Sequence, residues 1–160
     1  MSDWQRVRLG DVASVASGFA FKSDEFQTSG IPVIKIKNVR VGKLDLADGD
    51  FVSREYTRLP QKYHSLPGDI LISLTGSHIS QPNSVVGRVA KHSDGTPPCL
   101  INQRVGKVII RDKKIADPEF FFFALSNPDV VSAIAMFGHG SASQANVSPT
   151  QVESLEFDIP

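Results

Sequence analysis

Three times in its last third the chain sets a capping side chain directly before a proline: Asp117-Pro118, Asn127-Pro128 and Ser148-Pro149. Each pair fixes where a helix can start. A proline at the first helical position forfeits no hydrogen bond, because its missing N–H would have had no intrahelical partner there. The Asp, Asn or Ser before it accepts from the next free amides. Ser148 and Gln151 add the spacing of a capping box. "DPEFFFFALS" and "NPDVVSAIAMF" are therefore expected as consecutive helices, with "SPTQVESL" a short third. Consecutive Phe120, Phe121, Phe122 and Phe123 would surround the first helix with apolar surface, which predicts burial between layers.

Upstream the signals are those of strands. "RVRL" (6–9) reads as a short strand and "DVASVA" (11–16) as one or two helical turns capped by Asp11. "IPVIKIKNV" (31–39) alternates, with Val33, Lys35 and Lys37 on one face and Ile34 and Ile36 on the other, as a half-buried strand would. "PGDILISL" (67–74) is a turn feeding a continuously apolar strand. "SVVGRVAK" (84–91) and "CLINQRVGKVIIR" (99–111) supply further strands, each interrupted by a Gly where a bulge or bend fits. The expected fold is α+β or mixed α/β: a twisted mixed sheet, short helices packed on it, and a helical C-terminal third. We find no repeat or linker, and 160 residues are about one domain.

Apolar residues at 41% and charged residues at 21% are ordinary for a globular chain, and no apolar run approaches the roughly 18 residues of a membrane span. "MSDWQRVRLG" lacks the apolar stretch of a signal peptide. The lone Cys99 excludes an internal disulfide and fits a reducing cytoplasm. Basic and acidic residues balance at 17 each, so net charge favours no partner. Locally, residues 102–114 hold five basic residues and one acid, and residues 35–43 hold four basic residues and none. Such patches contact phosphate or are solvated strand faces.

Catalytic signatures are scarce. Gly42-Lys43 and Gly106-Lys107 lack the upstream glycine and the hydroxyl of a P-loop, and the sequence has neither G-x-G-x-x-G nor G-x-S-x-G. His64, His78, His92 and His139 lack metal-ligand spacing. Asp45, Asp48 and Asp50 do not match a calcium loop. His139 with Ser141 would need an orienting group for nucleophilic catalysis, and Asp112 with Lys114 is the short D-x-K found in some nucleases. These two pairs carry the alternative reading, a small hydrolase or diverged nuclease. A third reading is an interaction domain without sequence preference. The leading expectation is a chain that binds, without catalysis, cofactor or metal of its own.

Taken in order, several phrases resemble one family, the target-recognition domain of a type I restriction–modification specificity subunit. "WQRVRLGDVASVASGFAF" (4–21) is similar to its entry strand and first helix, and "GIPVIKIKNVRVGKLD" (30–45) to its central strand. "SLPGDILISLTGS" (65–77) resembles its l-x-x-G-D-i-L-i-s-x-x-G segment, the most specific of the matches. "SVVGRVA" and "CLINQRVGKVII" fit two further strands, "DPEFFFFALSN" a helix, and "GHGSASQANVSPTQVESLEFDIP" the closing segment. The resemblance implies a module that reads double-stranded DNA. Such subunits usually carry two of these domains, joined by helical spacers that pair as a coiled coil. Each domain reads half of a split target. Methyltransferase subunits using S-adenosylmethionine dock on them, and ATP-driven restriction subunits join the assembly. The sequence stops at Pro160, where a spacer helix would begin, so residues 1–160 are expected to be one recognition domain without spacer or second domain.

In that setting the polar stretch "GHGSASQANVSP" (138–149) gains a meaning. Asn, Gln, Ser, Arg and Lys read donors and acceptors on base edges in the major groove. Ser141, Ser143 and Gln144 are candidate contacts; Gln144 and Asn146 could equally satisfy buried backbone groups and pin the last element. Lys35, Lys37 and Arg40 are candidates for phosphate or guanine. Gly76, Ser77 and His78 lie on a candidate contact loop or a plain hairpin. Asn102, Gln103 and Arg104 form the densest polar triplet, and strand alternation would put Asn102 and Arg104 on one face.

Overall fold

A computed structural model describes residues 3–77, 84–138 and 144–160. The order is β1 (Gln5–Arg8), α1 (Leu9–Val12), β2 (Ala13–Ser17), β3 (Ile31–Ile34), β4 (Gly42–Lys43), β5 (Asp50–Val52), β6 (His64–Ser65), β7 (Ile70–Ser73) and β8 (Thr75–Gly76). There follow β9 (Val89–Lys91), β10 (Cys99–Ile101), β11 (Val105–Ile110), α2 (Pro118–Ser126), α3 (Pro128–Met136), β12 (Ala145–Asn146), α4 (Pro149–Glu153) and β13 (Glu156–Ile159). The fold is α+β, with a five-stranded mixed sheet in the order β2-β11-β7-β9-β4 and a four-stranded mixed sheet in the order β5-β3-β10-β6.

Strand periodicity shows how the layers stack. Along β7, Ile70 and Ile72 point to a core built with Phe121, Leu125, Val152 and Phe157 from the helices and β13, while Leu71 points the other way. Leu71, Ala90 and Val105 of the larger sheet meet Ile34, Cys99 and Ile101 of the smaller one. The far face of the smaller sheet, Val33 and Leu100, lies under Phe19, Phe21, Phe26 and Tyr56. A strand covered on both faces must be apolar at every position, which is why "ILI" does not alternate.

The three capped helices form as the sequence dictates. Asp117 Oδ1 accepts from Glu119 N at 2.8 Å, Asn127 Oδ1 accepts from Asp129 N at 2.9 Å, and Ser148 and Gln151 close a reciprocal capping box. Phe121 is fully buried, with its ring 5.6 Å from that of Phe157 and nearly perpendicular to it, but Phe123 is 67% exposed. The helix is therefore not enclosed: four successive residues span its circumference, and the sheet covers one side.

Other expectations need correction. Asp11 lies inside α1, whose N-cap is Arg8, and Ala13–Ser17 is a strand rather than the helix's second turn. The strand expected over 31–39 ends at Ile34, and a 3₁₀ turn, Ile36–Asn38, replaces its second half. Asn38 causes the turn: with 1% exposure, its side chain accepts from Lys35 N at 2.9 Å and donates to the carbonyls of Asp45 and Asp48. The final residues add β13, which pairs with β1 and joins the two ends of the chain.

Candidate nucleic-acid interface

The residues expected to read DNA are scattered over a hundred positions of sequence. Leu74 gathers part of them. Its N–H donates to Arg104 O at 2.9 Å and its carbonyl accepts from Val147 N at 2.8 Å, so one residue at the end of β7 holds two distant segments. Beyond it, β8 pairs with β12, Thr75 facing Asn146 and Gly76 facing Ala145, and Thr75 Oγ1 donates to Asn146 Oδ1 at 3.0 Å. Ala145 and Val147 are buried, so burial of alternate residues anchors this short ladder.

Asn102, Gln103 and Arg104 do not lie in a strand interior. They turn the chain from β10 in the smaller sheet to β11 in the larger one, with Val105 N donating to Asn102 O at 2.9 Å. Asn102 N donates to Ile34 O, and Gln103 N to Phe19 O, both at 3.0 Å. Gly18 lies so close that a Cβ there would stand 2.2 Å from Ile101 O and 2.3 Å from Asn102 O. The shared face expected for Asn102 and Arg104 is thus replaced by a strapped turn, because both neighbouring sheets claim the backbone.

Arg104 opens onto a depression of about 380 Å³ that it lines with Ile36, Thr75, Gly76, Ser77, Val85 and Gln144. Ser77, Arg104 and Gln144, each expected from sequence, meet here. Among the described residues, the lining carries one full positive charge and no carboxylate. Gln144 is half-buried and belongs to this wall, whereas Asn146 pins the β8–β12 ladder. Ile36, Val85 and Thr75 were not singled out from the sequence. They are lining groups whose only advance signal was their place next to candidate polar residues. His78, Ser141 and Ser143, together with His139, lie outside the described residues.

Lys35, Lys37 and Arg40 are present but engaged. Lys35 Nζ lies 3.2 Å from Asp50 and over the Phe26 ring; Lys37 Nζ is 3.0 Å from Asp48 and 2.9 Å from Asp50; Arg40 is 3.7 Å from Asp45. Asp50 and Asp48 hold the Lys37 ammonium above the usual lysine range, and Lys37, followed by Lys35, holds the Asp50 carboxyl below the usual carboxylate range. Three of the four basic residues of 35–43 are thus paired with Asp45, Asp48 and Asp50 of the adjoining acidic stretch in one cluster. Asn102 is half-buried at the start of its turn and does not line the depression.

Of the two pairs that carry the competing chemistry, His139 and Ser141 lie outside the described residues, and Asp112 with Lys114 forms no assembled centre. Asp112 Oδ1 accepts from the backbone N–H of Lys114 at 2.8 Å in an exposed turn, so the Asp112 carboxylate serves that turn. Among the described residues, no group of three or more His, Cys, Asp or Glu could hold a metal ion, and no helix is long and apolar enough to cross a membrane.

Comparison with known proteins matches this architecture. The chain is 30% identical over 95% of its length to the specificity subunit of the type I restriction enzyme EcoBI from Escherichia coli, and 30% identical over 77% to that of MjaVIII from Methanocaldococcus jannaschii. It spans 26% and 28% of those two subunits. Its fold superposes on the HsdS subunit from Thermoanaerobacter tengcongensis with a TM-score of 0.65 over 98% of this chain and 33% of that one, at 19% identity. A chain from a type I R-M system gives 0.66 over the whole of this chain, at 17% identity. The family described as type I restriction modification DNA specificity domain matches residues 1–160, and the chain belongs to it.

Proposed function

We propose that this chain reads one half of a split double-stranded DNA target through the depression formed by Ser77, Arg104 and Gln144. It does so as a non-catalytic, sequence-specific component of a cytoplasmic type I restriction–modification complex. The observation that carries the reading is the convergence of those three side chains, from segments far apart in sequence, on one acid-free surface. A guanidinium, an amide and a hydroxyl offer the donors and acceptors that base edges match in pairs, and Ile36 and Val85 beside them suit the methyl group of thymine. The methyltransferase and restriction subunits are the partners in this reading. They supply the chemistry, and this chain supplies the address.

Neutral net charge predicts weak binding to random DNA, since phosphate neutralisation provides most non-specific affinity. The test is selection from a randomised duplex pool at low salt, with the methyltransferase subunit present, followed by sequencing of the retained DNA. A short asymmetric motif is expected. Retention without any motif refutes the reading and leaves an interaction domain.

A further inference from the structure

We infer that Arg104 is the residue that reads a guanine, and that Lys35, Lys37 and Arg40 contribute little to DNA affinity because their charges are spent internally. The inference rests on the DNA-reading function proposed above and divides labour among its candidate residues.

The partition of charge comes first. Lys35, Lys37 and Arg40 each sit within 4 Å of a carboxylate, from Asp45, Asp48 or Asp50, so three of the four cations in this segment face three anions. A phosphate would have to displace a carboxylate to gain any of them. Arg104 differs: its guanidinium has no hydrogen-bond or ion-pair partner among the described residues, and no carboxylate lines its depression.

Rigidity comes second. Arg104 O is held by Leu74 N, the neighbouring Val105 is fully buried, and Gln103 N is held by Phe19 O. The side chain therefore leaves a fixed point on the wall, and little backbone order remains to be lost on binding.

Chemistry decides between base and phosphate. A guanidinium fork satisfies guanine O6 and N7 as readily as two phosphate oxygens. The rest of the depression discriminates, because Gln144 and the apolar Ile36 and Val85 stand beside Arg104. Amide and apolar groups both have counterparts on base edges in the major groove, whereas a phosphate could accept from the amide N–H but would leave the amide oxygen and the apolar groups unused.

The test uses the protein with its methyltransferase subunit and compares wild type, Arg104→Ala and Lys37→Ala by selection and by binding at several salt concentrations. The wild type is expected to select a motif containing a guanine. In Arg104→Ala the preference at that one position should fall by about tenfold or more, with the others kept and the salt slope unchanged. Lys37→Ala should keep the motif and bind within about twofold of wild type, since a mostly neutralised charge adds little. A uniform loss across all positions in Arg104→Ala, with the salt slope reduced by about one, would assign Arg104 to phosphate and overturn the inference while sparing the function. An unchanged motif in Arg104→Ala does the same. A wild type that selects no motif refutes the function itself. The Arg104 side chain is exposed and makes no hydrogen bond or ion pair among the described residues, so circular dichroism of Arg104→Ala should match wild type.

Discussion

Where the two sheets meet, His92 is 1% exposed and bonded at both ring nitrogens. Nε2 lies 3.1 Å from Pro97 O, a carbonyl that can only accept, so the proton sits on Nε2. Nδ1 must then accept from Ser65 Oγ at 2.7 Å, and Ser65 is itself fully buried. Replacing Ser65 by Ala removes that donor and leaves an imidazole acceptor without water or partner. The loss is about 1–3 kcal/mol, and at its centre it lowers Tm by about 4–8 °C in a chain of this size. Burial also pushes the imidazole below its ordinary value of 6.5. The unfolded chain therefore takes up a proton that the fold refuses. Stability is full above pH 6.5 and declines as pH falls below it, until the folded imidazole also titrates. Urea unfolding of wild type, Ser65→Ala and His92→Gln between pH 7.5 and 5 tests both points. Wild type should lose stability with acid more steeply than His92→Gln, which has no titrating ring there. Equal slopes, or a Ser65→Ala protein as stable as wild type at pH 7.5, would refute the reasoning.

Three further outcomes follow from the geometry. Gly18→Ala pushes a methyl into the carbonyls of Ile101 and Asn102; it should cost at least about 1–3 kcal/mol in urea unfolding and, by shifting the turn that carries Arg104, weaken sequence preference in duplex selection. Asp117→Ala removes the cap of α2 and should lower stability by about 0.5–2 kcal/mol, with DNA selection unaltered, since α2 packs on the side of the sheet with the helical core. Cys99 is buried and its thiol is pushed up to about 12, so a thiol reagent at neutral pH should label it only as the chain unfolds in urea.

Helix starts were legible because a cap is local: Asp117, Asn127 and Ser148 act on amides within three residues, and no distant contact is needed to see them. The apolar run in "ILI" was legible as a buried strand for the same reason. The turn at Asn102–Arg104 was not. Without Gly or Pro it looks like polar decoration on a strand, and it becomes a turn only because Ile34, Phe19 and Leu74, all far away in sequence, take its backbone groups. Nor could periodicity show that β3 stops at Ile34, since Asn38 needs the carbonyls of Asp45 and Asp48 to hold its turn.

The candidate site divides along the same line. Composition and order of phrases determined the class of chain and named Ser77, Arg104 and Gln144 among ten candidates. Tertiary structure alone decided that these three share one wall while Lys35, Lys37 and Arg40 face carboxylates. Sequence lists which groups can bond, but a Coulomb or hydrogen-bond energy depends on separation, and separation between residues far apart along the chain is set only when the sheets close around Leu74.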